Sequence, residues 1–171
     1  MAQWSQPAYS GNFVSQMNRM ATKNTIAVIA STKEKAKAVV QKIADKNCRV
    51  LLVSKHDDEY LQLQKEIQFQ FPSIEFETID CMKDGCWEAD VIVMNVNEDE
   101  EKPVAEMIKE VAIQKVVISF SDKENGCSEN DLQKLLHHSR LIKVFNSGSA
   151  SLSIRGNDAE ALQYASSLLK G

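Results

Sequence analysis

Short apolar runs alternate along this chain with longer stretches in which apolar residues return every three or four positions. Ile26-Ala27-Val28-Ile29-Ala30 is the first run and predicts a strand buried on both faces. Behind it Ala36, Val39, Val40, Ile43 and Ala44 fall on one side of a helix. Residues 48–54 (CRVLLVS) repeat the strand, and Lys55-His56-Asp57-Asp58-Glu59 cap and begin a helix carrying Leu61, Leu63 and Ile67. Residues 74–79 alternate apolar and polar side chains, as a strand nearer a sheet edge does. Asp84-Gly85 predicts a turn. Residues 89–96 predict a fourth strand and 97–101 an acidic, solvated loop. Pro103 then suits the first turn of a helix presenting Val104, Met107, Ile108 and Val111. Residues 115–120 give a fifth strand and 121–126 a polar loop, after which Ser128 and Asp131 cap a helix bearing Leu132, Leu135 and Leu136. Residues 140–145 give a sixth strand, 150–155 admit a seventh, and Gly156-Asn157-Asp158 lead into a last helix with Leu162, Ala165 and Leu169.

Strands that alternate with helices imply βαβ units with right-handed crossovers. The expected fold is α/β: a Rossmann-like, doubly wound, mainly parallel sheet of six or seven strands with helices on both faces. A flavodoxin-like strand order is the competitor, because counting elements does not fix which strands are neighbours. This domain covers residues 24–171. Residues 1–23 differ in composition, with Trp4, Tyr9, Phe13 and three methionines among small polar residues. Phe13, Met17 and Met20 share one helical face with Ser10 or Asn12 available as cap, so the segment reads as an arm with a short amphipathic helix. Its aromatic face suits docking on a neighbouring copy, which makes a homodimer the expected assembly; an unstructured tail is the alternative.

Twenty-four acidic against twenty basic residues, a formal charge of -4, argue against a general binder of nucleic acid or membrane surfaces. No apolar run is long enough to cross a bilayer, and no basic-then-apolar leader opens the sequence. Cys48, Cys81, Cys86 and Cys127 form no C-x-x-C pair and suggest reduced thiols in a cytoplasm, with no metal site. His137-His138 end a helix, where they complement exposed carbonyls. Neither G-x-S-x-G nor H-E-x-x-H occurs, so hydrolase and zinc-peptidase chemistry has no support, and no catalytic residue is assigned.

Five segments carry a family resemblance through their order and spacing. They are IAVIA...AKAVVQKIADKNCRVLLVSK, Ala89-Asp90-Val91-Ile92-Val93-Met94-Asn95-Val96, Lys115-Val116-Val117-Ile118-Ser119, Leu141-Ile142-Lys143-Val144-Phe145-Asn146 and Arg155-Gly156-Asn157-Asp158-Ala159-Glu160-Ala161. Together they resemble the NADP-dependent oxidoreductases that act with the deazaflavin coenzyme F-420, whose nucleotide-binding domain recurs in pyrroline-carboxylate reductases and membrane ferric reductases. The resemblance implies NADP(H) as cofactor and hydride transfer between bound rings. By position it implies cofactor contacts from Ala30, Ser31, Thr32 and Lys33 in the first turn, from Ser54 and Lys55 ending the second strand, and from Asn95 and Asn146. A hydroxyl and a cation at Ser54-Lys55 suit an adenosine 2′-phosphate, and His56 beside them is placed to stack on an adenine or to sit on a surface loop.

Three departures oppose that expectation. Ala30, Thr32 and Lys35 stand at the glycine positions that let a pyrophosphate approach the helix. Ser31 and Glu34 instead fit a capping box that would satisfy the helix end internally. The loop after the fourth strand holds four carboxylates where relatives place a proline and apolar residues. The segment between Asn146 and Gly156 is also shorter than in relatives, which continue beyond the last helix. The expected function is therefore a degenerate Rossmann-fold protein of NADP-oxidoreductase ancestry with a lost or altered dinucleotide site, working through self-association or a partner. An active NADP(H)-dependent oxidoreductase of the deazaflavin-linked type is the alternative.

Overall fold

The computed structural model describes residues 23–54, 58–122, 129–146 and 151–170. The elements run β1 (Asn24–Ala30), α1 (Lys33–Ile43), β2 (Cys48–Val53), α2 (Asp58–Gln70), β3 (Glu75–Ile79), α3 (Met82–Glu88) and β4 (Val91–Asn95). They continue with α4 (Glu98–Ile108), β5 (Val116–Ser121), α5 (Glu129–Leu135), β6 (Arg140–Asn146), β7 (Leu152–Gly156) and α6 (Ala159–Lys170). Residues 1–22, Lys55, His56, Cys127 and the Ser128 cap lie outside the described residues.

The seven strands form one sheet in the order β3-β2-β1-β4-β5-β6-β7. The first six pair in parallel, and β7 closes the edge antiparallel to β6. This is the Rossmann order, so the flavodoxin-like arrangement is excluded. Alternate residues of each strand serve opposite faces. Ile26 and Val28 point into a core with Val39, Val40, Leu63 and Ala165, from α1, α2 and α6. Ala27 and Ile29 point into a second core with Cys86, Ile108 and Leu132, from α3, α4 and α5. Helices therefore cover both faces, and β2, β1, β4, β5 and β6 are interior strands, with β3 and β7 at the edges.

Several local expectations are corrected. Asp84-Gly85 is not a turn but lies inside α3. Gly85 is buried, and a Cβ there would meet Ile79 and Val53 methyl groups at 3.0 and 3.2 Å, so close approach rather than turn geometry favours glycine. The acidic stretch after β4 is not a loop but the first turn of α4, where carboxylates complement the helix dipole. Pro103 falls inside that helix rather than in its first turn, so its nitrogen gives no helical hydrogen bond. The helix thus starts earlier than expected, and its buried face is Glu101, Ala105 and Ile108, leaving Met107 exposed. Leu61 on α2 is likewise exposed. The His137 ring lies 3.2 Å from the Lys134 carbonyl just beyond α5, as expected of a histidine at a helix end.

Candidate functional site at the crest of the sheet

In open α/β sheets ligands bind beyond the carboxyl ends of the strands, where the strand order reverses. Here that point lies between β1 and β4, each of which leads through a short turn into a helix. Ala30 ends β1 beside Asn95, which ends β4, and the Ser31 amide donates to the Asn95 carbonyl at 3.2 Å. Thr32 is the N-cap of α1, with φ -136° and ψ 160°, and its hydroxyl accepts from the Lys35 amide at 3.2 Å. The capping box expected from Ser31 and Glu34 is therefore wrong. The cap is one residue later, because the Ser31 hydroxyl is used elsewhere.

That hydroxyl accepts from the Asn97 amide at 2.7 Å and donates to the Glu100 carboxylate. Glu100 also lies 3.4 Å from the Asn97 amide, the reach-back of a capping box on α4. The two turns that flank the reversal are thereby joined through one serine and one carboxylate. Asn95 is tied in as well, its side-chain amide donating to the Lys35 carbonyl at 3.0 Å. Ser31, Asn95, Asn97 and Glu100 are thus engaged with one another and with the first turn of α1 at the reversal. At the N-terminal end of α1 stand Ala30, Ser31, Thr32 and Lys33, with the Glu100 carboxylate against Ser31.

Of the other sequence-derived positions, Ser54 follows β2 and is buried, with no hydrogen-bond partner for its hydroxyl among the described residues. Lys55 lies outside the described residues, so the pair expected at a 2′-phosphate is half described. Asn146 ends β6 and borders a cavity of about 370 Å³ that also touches Glu34, Lys35, Asn95, Phe120 and Leu152. Lys35 reaches across its mouth to Asp122 at 3.4 Å. This cavity adjoins the reversal on the α1 side of the sheet and brings Asn95 and Asn146 to one site. A larger cavity, about 470 Å³, opens at the opposite end of the strands around Asp90, Lys115, Arg140 and Tyr164. Its cations are occupied: Arg140 pairs with Glu160 at 3.7 Å, and Lys115 donates to the Trp87 carbonyl at 2.7 Å. The crest, where the topology places ligands, is the better candidate.

One cluster was not anticipated. Beneath the first turn of α4, Lys143 of β6 is 1% exposed and pairs with Glu101, itself 2% exposed. The fully buried Ser119 of β5 donates to the same Glu101 oxygen at 2.6 Å and lies 3.5 Å from the Lys143 ammonium. The other Glu101 oxygen is buried without a hydrogen bond among the described residues. The signal was in the pattern: a lysine between Ile142 and Val144 on an interior strand needs a buried partner. Among the described residues no group of histidines, cysteines and carboxylates is arranged to hold a metal, and no helix is long and apolar enough to cross a membrane.

No family model and no curated protein matches the chain. Solved structures do. A protein of Arthrobacter sp. FB24 assigned as an F-420-dependent NADP reductase aligns over 85% of this chain and 79% of its own, with TM-score 0.66 and 16% identity. A pyrroline-5-carboxylate reductase from Coxiella burnetii gives TM-score 0.70 and 18% identity over 87% of this chain and 56% of its own. The pyrroline carboxylate reductase of Plasmodium falciparum, solved with NADP bound, gives 0.63 and 14% over 85% and 54%. At these identities the likeness is one of fold. The chain is a Rossmann-like α/β domain of the type found in NAD(P)-linked reductases, and it spans little more than half the length of the two pyrroline reductases.

Proposed function

We propose that the protein is a Rossmann-like module of NADP-oxidoreductase ancestry whose dinucleotide site is altered, and that it works in the cytoplasm by self-association or by binding a protein partner. The observation that carries this reading is the Ser31–Glu100 contact, which sets a carboxylate across the strand reversal where a bound dinucleotide would place its pyrophosphate. Exposed apolar side chains support an interface: Trp87 is 74% exposed and Ile113 48%, the latter beside the cavity at the base of the sheet. The occupant proposed for that surface is a second copy of the chain, with residues 1–22 contributing to the contact. Calorimetric titration and thermal shift with NADPH, NADP, NADH and a deazaflavin test the site. No saturable binding at millimolar ligand is expected, and saturable NADPH binding would overturn the reading. Light scattering tests the assembly: the full chain should be a dimer and residues 23–171 a monomer, and equal masses would remove the arm from the interface.

The second reading is an active NADP(H)-dependent oxidoreductase. It is favoured by the cavity beside Asn95 and Asn146 with Lys35 and Lys42 on its wall, and by the reductase neighbours. Under it the same titration gives NADPH binding that weakens when Lys55 becomes alanine.

A further inference from the structure

Glu100 and Glu101 are consecutive residues in the first turn of α4 that do two different things. Glu100 reaches the Ser31 hydroxyl at the crest, and Glu101 reaches Lys143 and Ser119 in the interior. We infer that Lys143, Glu101 and Ser119 are positioning residues of the crevice: they pin the first turn of α4 and so hold the Glu100 carboxylate over the strand reversal as a built-in anion that shuts out phosphorylated ligands. The inference rests on the altered-site reading above and adds the device that enforces it.

Glu100 is a surface residue, and its contacts alone would leave its turn free to swing, since exposed hydrogen bonds and ion pairs hold little. The pair behind it does not permit that. Lys143 is fully sequestered between β5 and α4, and withdrawing Glu101 would strand its ammonium without a counter-ion. Rotation of the turn is opposed as well, because Ser119 and Lys143 converge on one Glu101 oxygen from adjacent strands. A buried pair of this kind adds little net stability over apolar packing, and the role inferred for it here is to fix the register of the turn. Here the register decides where the neighbouring carboxylate stands.

The experiment compares the wild-type chain, Glu100→Ala, and the double variant Lys143→Met/Glu101→Leu, which exchanges the buried pair for apolar side chains of similar size and is designed to stay folded. NADPH and inorganic pyrophosphate are the probes, followed by fluorescence and calorimetry, with amide exchange at residues 97–102 as the readout of the turn. Glu100→Ala should gain saturable NADPH binding, at least about tenfold tighter than the millimolar level at which wild type shows none. The double variant should show at least about tenfold faster exchange at those amides and a gain in NADPH affinity, although Glu100 is intact. The inference is overturned if the folded double variant keeps wild-type exchange and affinity, or if Glu100→Ala binds no better than wild type. Saturable NADPH binding by wild type would instead overturn the altered-site reading, and is told apart because it appears before any variant is made.

Discussion

Ser31 and Glu100 join the two turns between which the strand order reverses. The Ser31 hydroxyl accepts from the Asn97 amide at 2.7 Å and donates a hydrogen bond to Glu100, while Thr32 next to it serves α1 alone. Ser31 and Thr32 are adjacent in sequence but stabilise different elements, and substitution should separate them. Thr32→Ala removes a cap and should cost about 0.5–2 kcal/mol, with faster exchange at the Lys35 amide. Ser31→Ala should cost about 0.5–1.5 kcal/mol, with faster exchange at Asn97 and little change at Lys35. Equal effects on both amides in both variants would mean that the turns behave as one unit.

The Lys143–Glu101 pair predicts a non-additive mutant cycle. Lys143→Met alone leaves Glu101 buried without its counter-charge and should cost about 3–5 kcal/mol. The double variant with Glu101→Leu should recover most of that loss in urea unfolding, since both charges are then gone. Additive losses would show that the two side chains do not depend on each other.

The register of the apolar runs carried most of the fold. Residues 26–30 and 50–53 needed no tertiary information, because a strand covered on both faces is apolar at every position. Strand order was not readable in the same way: two doubly wound folds share the same alternation of elements, and the direction of each crossover is a tertiary property. The site was half legible. Ala30, Thr32 and Asn95 lie at the reversal as the family resemblance implied, but the partner of Ser31 lies 66 residues away, and local capping logic assigned its hydroxyl wrongly. Glu101 was misread for a related reason. Pro103 suggested a helix starting there, and moving the start back to Glu98 turns a solvated acid into a buried one.

Two glycines should respond differently to alanine. At Gly156 on β7 a Cβ would stand 2.5 Å from the end of Ile142 and 2.8 Å from the Leu141 carbonyl oxygen. The side chain can shift but the backbone oxygen cannot, so Gly156→Ala should cost about 1–3 kcal/mol. At Gly85 the nearest atoms are methyl groups at 3.0 and 3.2 Å, and alanine returns about 0.5–1 kcal/mol of helix preference. Gly85→Ala should therefore be close to neutral in thermal unfolding, and a loss matching that of Gly156→Ala would show that Val53 and Ile79 cannot yield.

The buried thiols predict how stability depends on pH. Burial pushes Cys48 up from 9.0 to about 11 and Cys86 up from 9.0 to about 12. An acid whose folded value is raised binds its proton more tightly in the native state, so its contribution is complete below pH 9. Above that the unfolded chain ionises first, and stability falls as pH rises from about 9 toward about 11 for Cys48 and about 12 for Cys86. Urea midpoints measured from neutral pH to about pH 10.5 should fall more steeply for wild type than for the Cys48→Ala/Cys86→Ala variant. Parallel slopes would mean that the thiols reach solvent in the native state. Alkylation supplies the kinetic counterpart: among the described cysteines, exposed Cys81 should react first with iodoacetamide, and Cys48 and Cys86 only as the protein unfolds.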